Sequence, residues 1–91
     1  MSRCQADVEI VNELGLHLRA AAAFAKLAER YQSEVTLECD ELAANGKSVI
    51  ALVTLAAAKG STVLVIAEGG DAEDAVSALV ELIEDRFGEE R

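Results

Sequence analysis

The stretch CQADVEIVNELGLHLRAAAAFAKLAER, residues 4–30, changes period partway along, and that change decides the fold. Cys4, Ala6, Val8 and Ile10 alternate with Gln5, Asp7 and Glu9, the two-residue repeat of a strand covered on one face. Asn12, Glu13 and Gly15 break the alternation. From Leu18 to about Arg30 an Ala-rich run sets apolar residues at helical spacing, Leu18, Ala21, Phe24, Ala25 and Ala28 among them. A strand therefore passes through a short loop into a helix, with His17 at or just before the helix start.

Working outward, Val35, Leu37 and Cys39 alternate with Glu34, Thr36 and Glu38, which predicts a second strand with an acidic exposed side. Asp40-Glu41 turns the chain into a short third strand near 42–45. After Asn45-Gly46, Ser48 is placed to cap a short helix carrying Val49, Ile50, Leu52, Val53, Leu55 and Ala56 and closed at Lys59-Gly60. Thr62 to Glu68 reads as a β-branched strand. Gly69-Gly70 leads into a last helix that Asp71 can cap, with Asp74 also near its positive end. Its buried stripe is Ala72, Ala75, Val76, Leu79, Val80 and Ile83, and Gly88 is its stop signal. The order βαββαβα predicts an α+β open-faced sandwich, a four-stranded antiparallel sheet with three helices on one face, in one domain over residues 1–91.

Hydrophobic residues make up 52% of the 91 positions, aromatics only 3%, and proline is absent, so the core must be built from Val, Leu, Ile and Ala. No apolar run approaches the roughly 18 residues of a membrane span, and no basic-then-apolar leader opens the chain, which together predict a cytoplasmic protein. Cys4 and Cys39 are too few and too far apart for a zinc or CxxC site and are expected as buried, reduced thiols. No metal and no cofactor is expected. A formal charge of −9 argues against nucleic acid, which is held chiefly by Lys and Arg. Residues 68–91 hold nine acids against two bases, whereas 14–28 and 42–67 hold no acid and carry Arg19, Lys26, Lys47 and Lys59. If those two stretches share a side of the molecule, an anionic protein has one face suited to a phosphoryl group or an acidic partner.

The segment bearing chemistry is Gly15-Leu16-His17-Leu18-Arg19-Ala20, at the loop-to-helix junction, and it holds the single histidine of the chain. A helix N-terminus offers unpaired N–H groups and the positive end of the macrodipole, and Arg19 adds a forked set of charged donors. A neutral imidazole nitrogen is a nucleophile that need not first lose a proton. A phosphoserine is too stable to hand its group on easily, while the P–N bond of a phosphohistidine keeps a high transfer potential. Taken singly, a histidine or an arginine near a helix start is more often a polar cap or a solvated side chain. The joint pattern is what points to phosphoryl transfer.

That pattern resembles the HPr family, whose members carry Gly-Leu-His-x-Arg-Pro at this junction; four of the five specified positions match here. The family's Lys-Ser at the start of the second helix is matched by Lys47-Ser48-Val49-Ile50, so the resemblance spans about residues 4–87. It implies a phosphocarrier of the phosphoenolpyruvate-dependent phosphotransferase system, not an independent enzyme. His17 would take a phosphoryl group on Nδ1 from phospho-enzyme I and pass it to the A domains of sugar-specific permease complexes. Arg19 would steady the phosphate. Leu18, Ala22, Val49, Ile50 and Val53 would form a docking patch ringed by Lys26 and Lys47. Part of that apolar set must instead be core. Ser48, a helix cap, is also the position that a dedicated HPr serine kinase/phosphorylase would modify. The carrier is expected to be a monomer that presents one face to successive partners.

Two positions depart from the family pattern. Ala20 stands for the proline, restoring a backbone donor and loosening the first turn. Leu18 is bulkier than the residue often found there. Two alternatives compete with the carrier: a regulatory binding module of the nitrogen-related branch, indifferent to His17 chemistry, and a small acylphosphatase-like hydrolase, which must turn over. Neither explains the histidine, arginine and serine motifs together.

Overall fold

The computed structural model describes residues 2–91. Its elements are β1 (Arg3–Glu9), α1 (Leu18–Ala28), β2 (Glu34–Cys39), β3 (Leu42–Asn45), α2 (Val49–Thr54), β4 (Thr62–Glu68) and α3 (Ala72–Glu84), followed by a 3₁₀ turn at Arg86–Gly88. The strands form one sheet in the order β1-β4-β2-β3, and every pair is antiparallel. This is the α+β architecture that the βαββαβα pattern implies.

Register explains which side chains go inward. Val8 faces Val63, Ala6 faces Val65, and Val65 in turn faces Leu37 and through it Ala44, so one face of the sheet presents a continuous apolar row. The helices supply the other wall with Ala21, Phe24, Ala25 and Ala28 of α1, Leu52 of α2, and Ala72, Ala75, Val76, Leu79 and Ile83 of α3. Alanine removes bulk where α3 approaches β1 and β4 and where α1 approaches α2 and α3, which is how a core with so few rings closes. The opposite face is lined by Asp7, Glu9, Glu34 and Glu68, and among the described residues only Ile66, in register with Gln5 and Thr36, is buried there.

Several local expectations need correction. Cys39 is buried and Cys4 only partly so, because β1 is an edge strand. Helix α2 stops at Thr54, well before Gly60, because Ala56 adopts φ +52° just beyond its C-cap and ends the helix in a left-handed residue that is not glycine. Asp71 occupies the N-cap of α3 yet makes no capping hydrogen bond. Its carboxylate accepts instead from Gln32 N (2.8 Å), Ser33 N (3.0 Å) and Ser33 Oγ (2.5 Å), tying the start of α3 to the turn before β2. Helix α3 ends at Glu84, four residues before Gly88, and Arg86, Phe87 and Gly88 then adopt φ +57°, +55° and +83°. This left-handed turn buries Phe87 against the core and directs the chain back toward α1.

Candidate functional site

The loop between β1 and α1 is held by its neighbour, the segment after α2. Ile10 N donates to Ser61 O (2.8 Å), Gly60 N to Ile10 O (2.8 Å) and Leu16 N to Ala57 O (2.8 Å). Gly15 lies at φ +66°, and a Cβ there would sit 2.6 Å from Ala57 O, so both its conformation and its closeness require glycine. Leu16 is buried and anchors the loop, leaving the next residue at the helix mouth.

That residue, His17, is the N-cap of α1. Its backbone is extended (φ −76°, ψ 179°), its carbonyl accepts from Ala21 N (2.8 Å), and its ring Nδ1 accepts from Arg19 N (3.3 Å). An imidazole thus does what Ser, Asp or Asn usually does at this position. Because Nδ1 is the acceptor, its lone pair faces the first-turn N–H groups of the helix. The other ring nitrogen, Nε2, is hydrogen-bonded to Oε2 of Glu89. Glu89 is itself braced by Asn12, whose Nδ2 donates to Glu89 Oε1 (2.9 Å) and to Gly15 O (2.8 Å). Asn12 is completely buried, and among the described residues its Oδ1 meets no donor, so the amide is oriented by its two N–H bonds.

Burial pushes the Glu89 carboxyl up, but the Asn12 hydrogen bond, the hydrogen bond and charge of His17 and the charge of Arg19 outweigh it and hold the group below the usual carboxylate range. Glu89 is therefore ionised at neutral pH. Arg19 is exposed and lines a groove of about 740 Å³ with Glu13, Leu14, Ala23, Phe87 and Glu89. Ala20, fully buried, sits in the first turn, where a helix N–H has no partner four residues back.

The second helix carries the remaining expected residues. Ser48 is the N-cap of α2, and its Oγ accepts from Ala51 N (3.2 Å). Helix α1 packs against α2. On this pair Leu18 (66%), Ile50 (79%) and Val53 (37%) are exposed, as are Ala22 and Lys26, while Val49 is half-buried and Leu52 wholly buried. Lys47 is less available than its charge suggests: Nζ donates to Tyr31 O (2.8 Å), tethering it to the end of α1's connection. Leu14, 65% exposed, lines the groove with Arg19 and was not singled out by the sequence. Nor were Asn12, which reads there only as a breaker, and Glu89, which lies 72 residues from the histidine it touches.

Comparison with known proteins agrees with this architecture. Residues 4–85 match the PTS-HPr family model, described as the PTS HPr component phosphorylation site. The chain is 43% identical over 83 residues to phosphocarrier protein HPr of Neisseria meningitidis, covering 91% of this chain and 93% of that one. It is 36% identical over 89 residues to phosphocarrier protein NPr of Shewanella violacea, covering 98% of each. Among solved structures, HPr-C-His from Thermoanaerobacter tengcongensis superposes with a TM-score of 0.92 at 41% identity, covering 97% of this chain and 99% of that one. With the family model matched across most of its length and relatives this similar, the chain belongs to the HPr family.

Proposed function

We propose that the protein is a phosphocarrier of the phosphotransferase system in which His17 Nδ1 accepts the phosphoryl group from phospho-enzyme I and yields it to an acceptor domain. The observation carrying this reading is the placement of Nδ1 at the helix N-terminus, its lone pair turned to the Arg19 N–H. When phosphorus bonds to Nδ1 the bond to the donor breaks. The Arg19 N–H is released from the ring, and the phosphoryl oxygens take the first-turn N–H groups and the macrodipole's positive end. Arg19, on the rim, supplies a mobile positive charge to those oxygens. Ala20 adds an N–H that proline lacks at the same turn.

Docking belongs in this proposal to the exposed apolar residues of α1 and α2, Leu18, Ala22, Ile50 and Val53, with Val49 and Lys47 partly covered and Lys26 at the edge. A phosphate on Ser48 would lie within this surface, at a helix start that tolerates it, and would oppose anionic partners by charge. The test is intact-mass analysis after incubation with phosphoenolpyruvate, magnesium and an enzyme I. Wild type gains one acid-labile phosphate and His17→Ala gains none. An adduct of equal size in the variant removes His17 from the role.

A further inference from the structure

Glu89 lies beyond the stretch that matches the family, residues 4–85, and beyond the motif on which the phosphocarrier reading rests. We propose that Glu89 is a positioning residue for His17: its carboxylate accepts the Nε2–H hydrogen bond, fixes the tautomer whose Nδ1 lone pair faces the helix, and balances the imidazolium that forms on phosphorylation. The inference rests on His17 being the phosphoryl acceptor and adds to that reading a partner for the other ring nitrogen.

Three features carry it. First, the two ring nitrogens have complementary partners. An ionised carboxylate only accepts, so Nε2 must bear the proton; the Arg19 N–H only donates, so Nδ1 must be bare. Both ends of the imidazole thus enforce the same tautomer. Second, Glu89 is not a free surface acid. It is 18% exposed at its side chain, and its second oxygen is held by the fully buried Asn12, which is fastened to Gly15 O. Third, the chain reaches this position through backbone that is costly to form. Two consecutive non-glycine residues, Arg86 and Phe87, are left-handed, with Phe87 buried as the anchor and Glu89 N closing the turn on Arg86 O (2.9 Å). Burial of Phe87 anchors that turn, and the turn sets Glu89 beside His17.

The chemistry balances without a proton leaving the ring. The Nδ1 lone pair forms the bond to phosphorus, the donor's bond to phosphorus breaks and keeps its electron pair, and the ring, still bearing Nε2–H, becomes a phosphoimidazolium. A carboxylate against Nε2–H stabilises that cation as it forms, the role such a group has beside any reacting imidazole. In the reverse step the cation makes the ring a better leaving group, and the same contact restores the neutral tautomer for the next cycle.

The experiment uses the full chain and phosphoramidate, a phosphoryl donor too small to have a docking surface, so that loss of partner contacts cannot mimic the effect. Uptake by mass is measured with the ¹⁵N and ¹H resonances of the His17 ring. Glu89→Ala is expected to slow uptake about tenfold and to lose the low-field, slowly exchanging Nε2–H signal. Glu89→Gln, whose amide oxygen can still accept from Nε2–H, recovers the signal and part of the rate; Glu90→Gln changes neither. If Glu89→Ala leaves either the rate or the ring resonances at wild-type values, the proposal is overturned. His17→Ala, run beside it, reports separately on the carrier reading: uptake that persists there sinks that reading, whatever Glu89 does.

Discussion

At the scale of single residues, the acids that matter here act locally against an acidic background. Asp71 is the clearest. The Ser33 hydroxyl and the Gln32 N–H, joined by the Ser33 N–H, hold its carboxyl below the ordinary range against a smaller opposing effect of desolvation. A folded-state value depressed in this way means the unfolded chain binds the proton more readily. Stability from Asp71 is therefore complete above about pH 4, near the unfolded carboxylate value, and is lost as pH falls through the lower folded value. Asp71→Asn is expected to flatten the acid limb of a pH–stability curve, measured by urea unfolding between about pH 2 and pH 5, while also lowering the plateau. An unchanged slope would mean that the three hydrogen bonds are matched in the unfolded chain. The sequence could suggest Asp71 only as a cap, because Ser33 is 38 residues away and nothing local marks a long-range acceptor. Histidine 17 was legible for the opposite reason. Its motif is contiguous, and the loop geometry that Gly15 enforces is encoded within two residues of it.

At the scale of elements, α2 depends most on its ends. Six residues give it fewer than two turns, too short to persist by propensity, so the Ser48 cap and the buried Leu52 carry it. Ser48→Ala is expected to cost about 1 kcal/mol, whereas Ser48→Asp retains an acceptor for Ala51 N and suits the positive end of the helix, so its melting point stays near wild type. Thermal unfolding followed by circular dichroism separates the two. On the proposed function Ser48→Asp, although folded, takes phosphate from enzyme I more slowly than wild type and from phosphoramidate at the same rate. Equal loss with both donors would place the added charge on the chemistry and not on docking. The strands and the starts of all three helices could be read from period and caps. Their ends were less legible, since Ala56, Arg86 and Phe87 adopt left-handed backbone that only tertiary packing selects, and propensity alone assigns that role to Gly60 and Gly88. That same turn delivers Glu89, which is why the tail's contribution was hidden.

For the whole molecule, the distribution of charge separates two jobs that the sequence merges into a net −9. The acid-free stretches fold into α1, β3, α2 and most of β4, and the two helices pack side by side, while the acids of 71–91 go to α3, its cap and the tail. The outer sheet face adds Asp7, Glu9, Glu34 and Glu68. An anionic body thus carries one less acidic face, and orientation by charge precedes contact with a partner. Lys26 tests this, because it lies nine residues along α1 from His17, about 13 Å at helical rise, farther than the screening length of about 8 Å at physiological ionic strength. Its charge reaches an arriving partner but is screened from the phosphoryl group. Lys26→Glu is therefore expected to slow transfer from enzyme I roughly several-fold at low salt, with the difference shrinking as salt rises, and to leave uptake from phosphoramidate unchanged at physiological ionic strength. A variant equally slow with both donors would show that the field of Lys26 acts on the phosphoryl centre itself. One unaffected at any salt would remove this end of α1 from the docking surface and leave recognition to the apolar residues around Leu18 and Ile50.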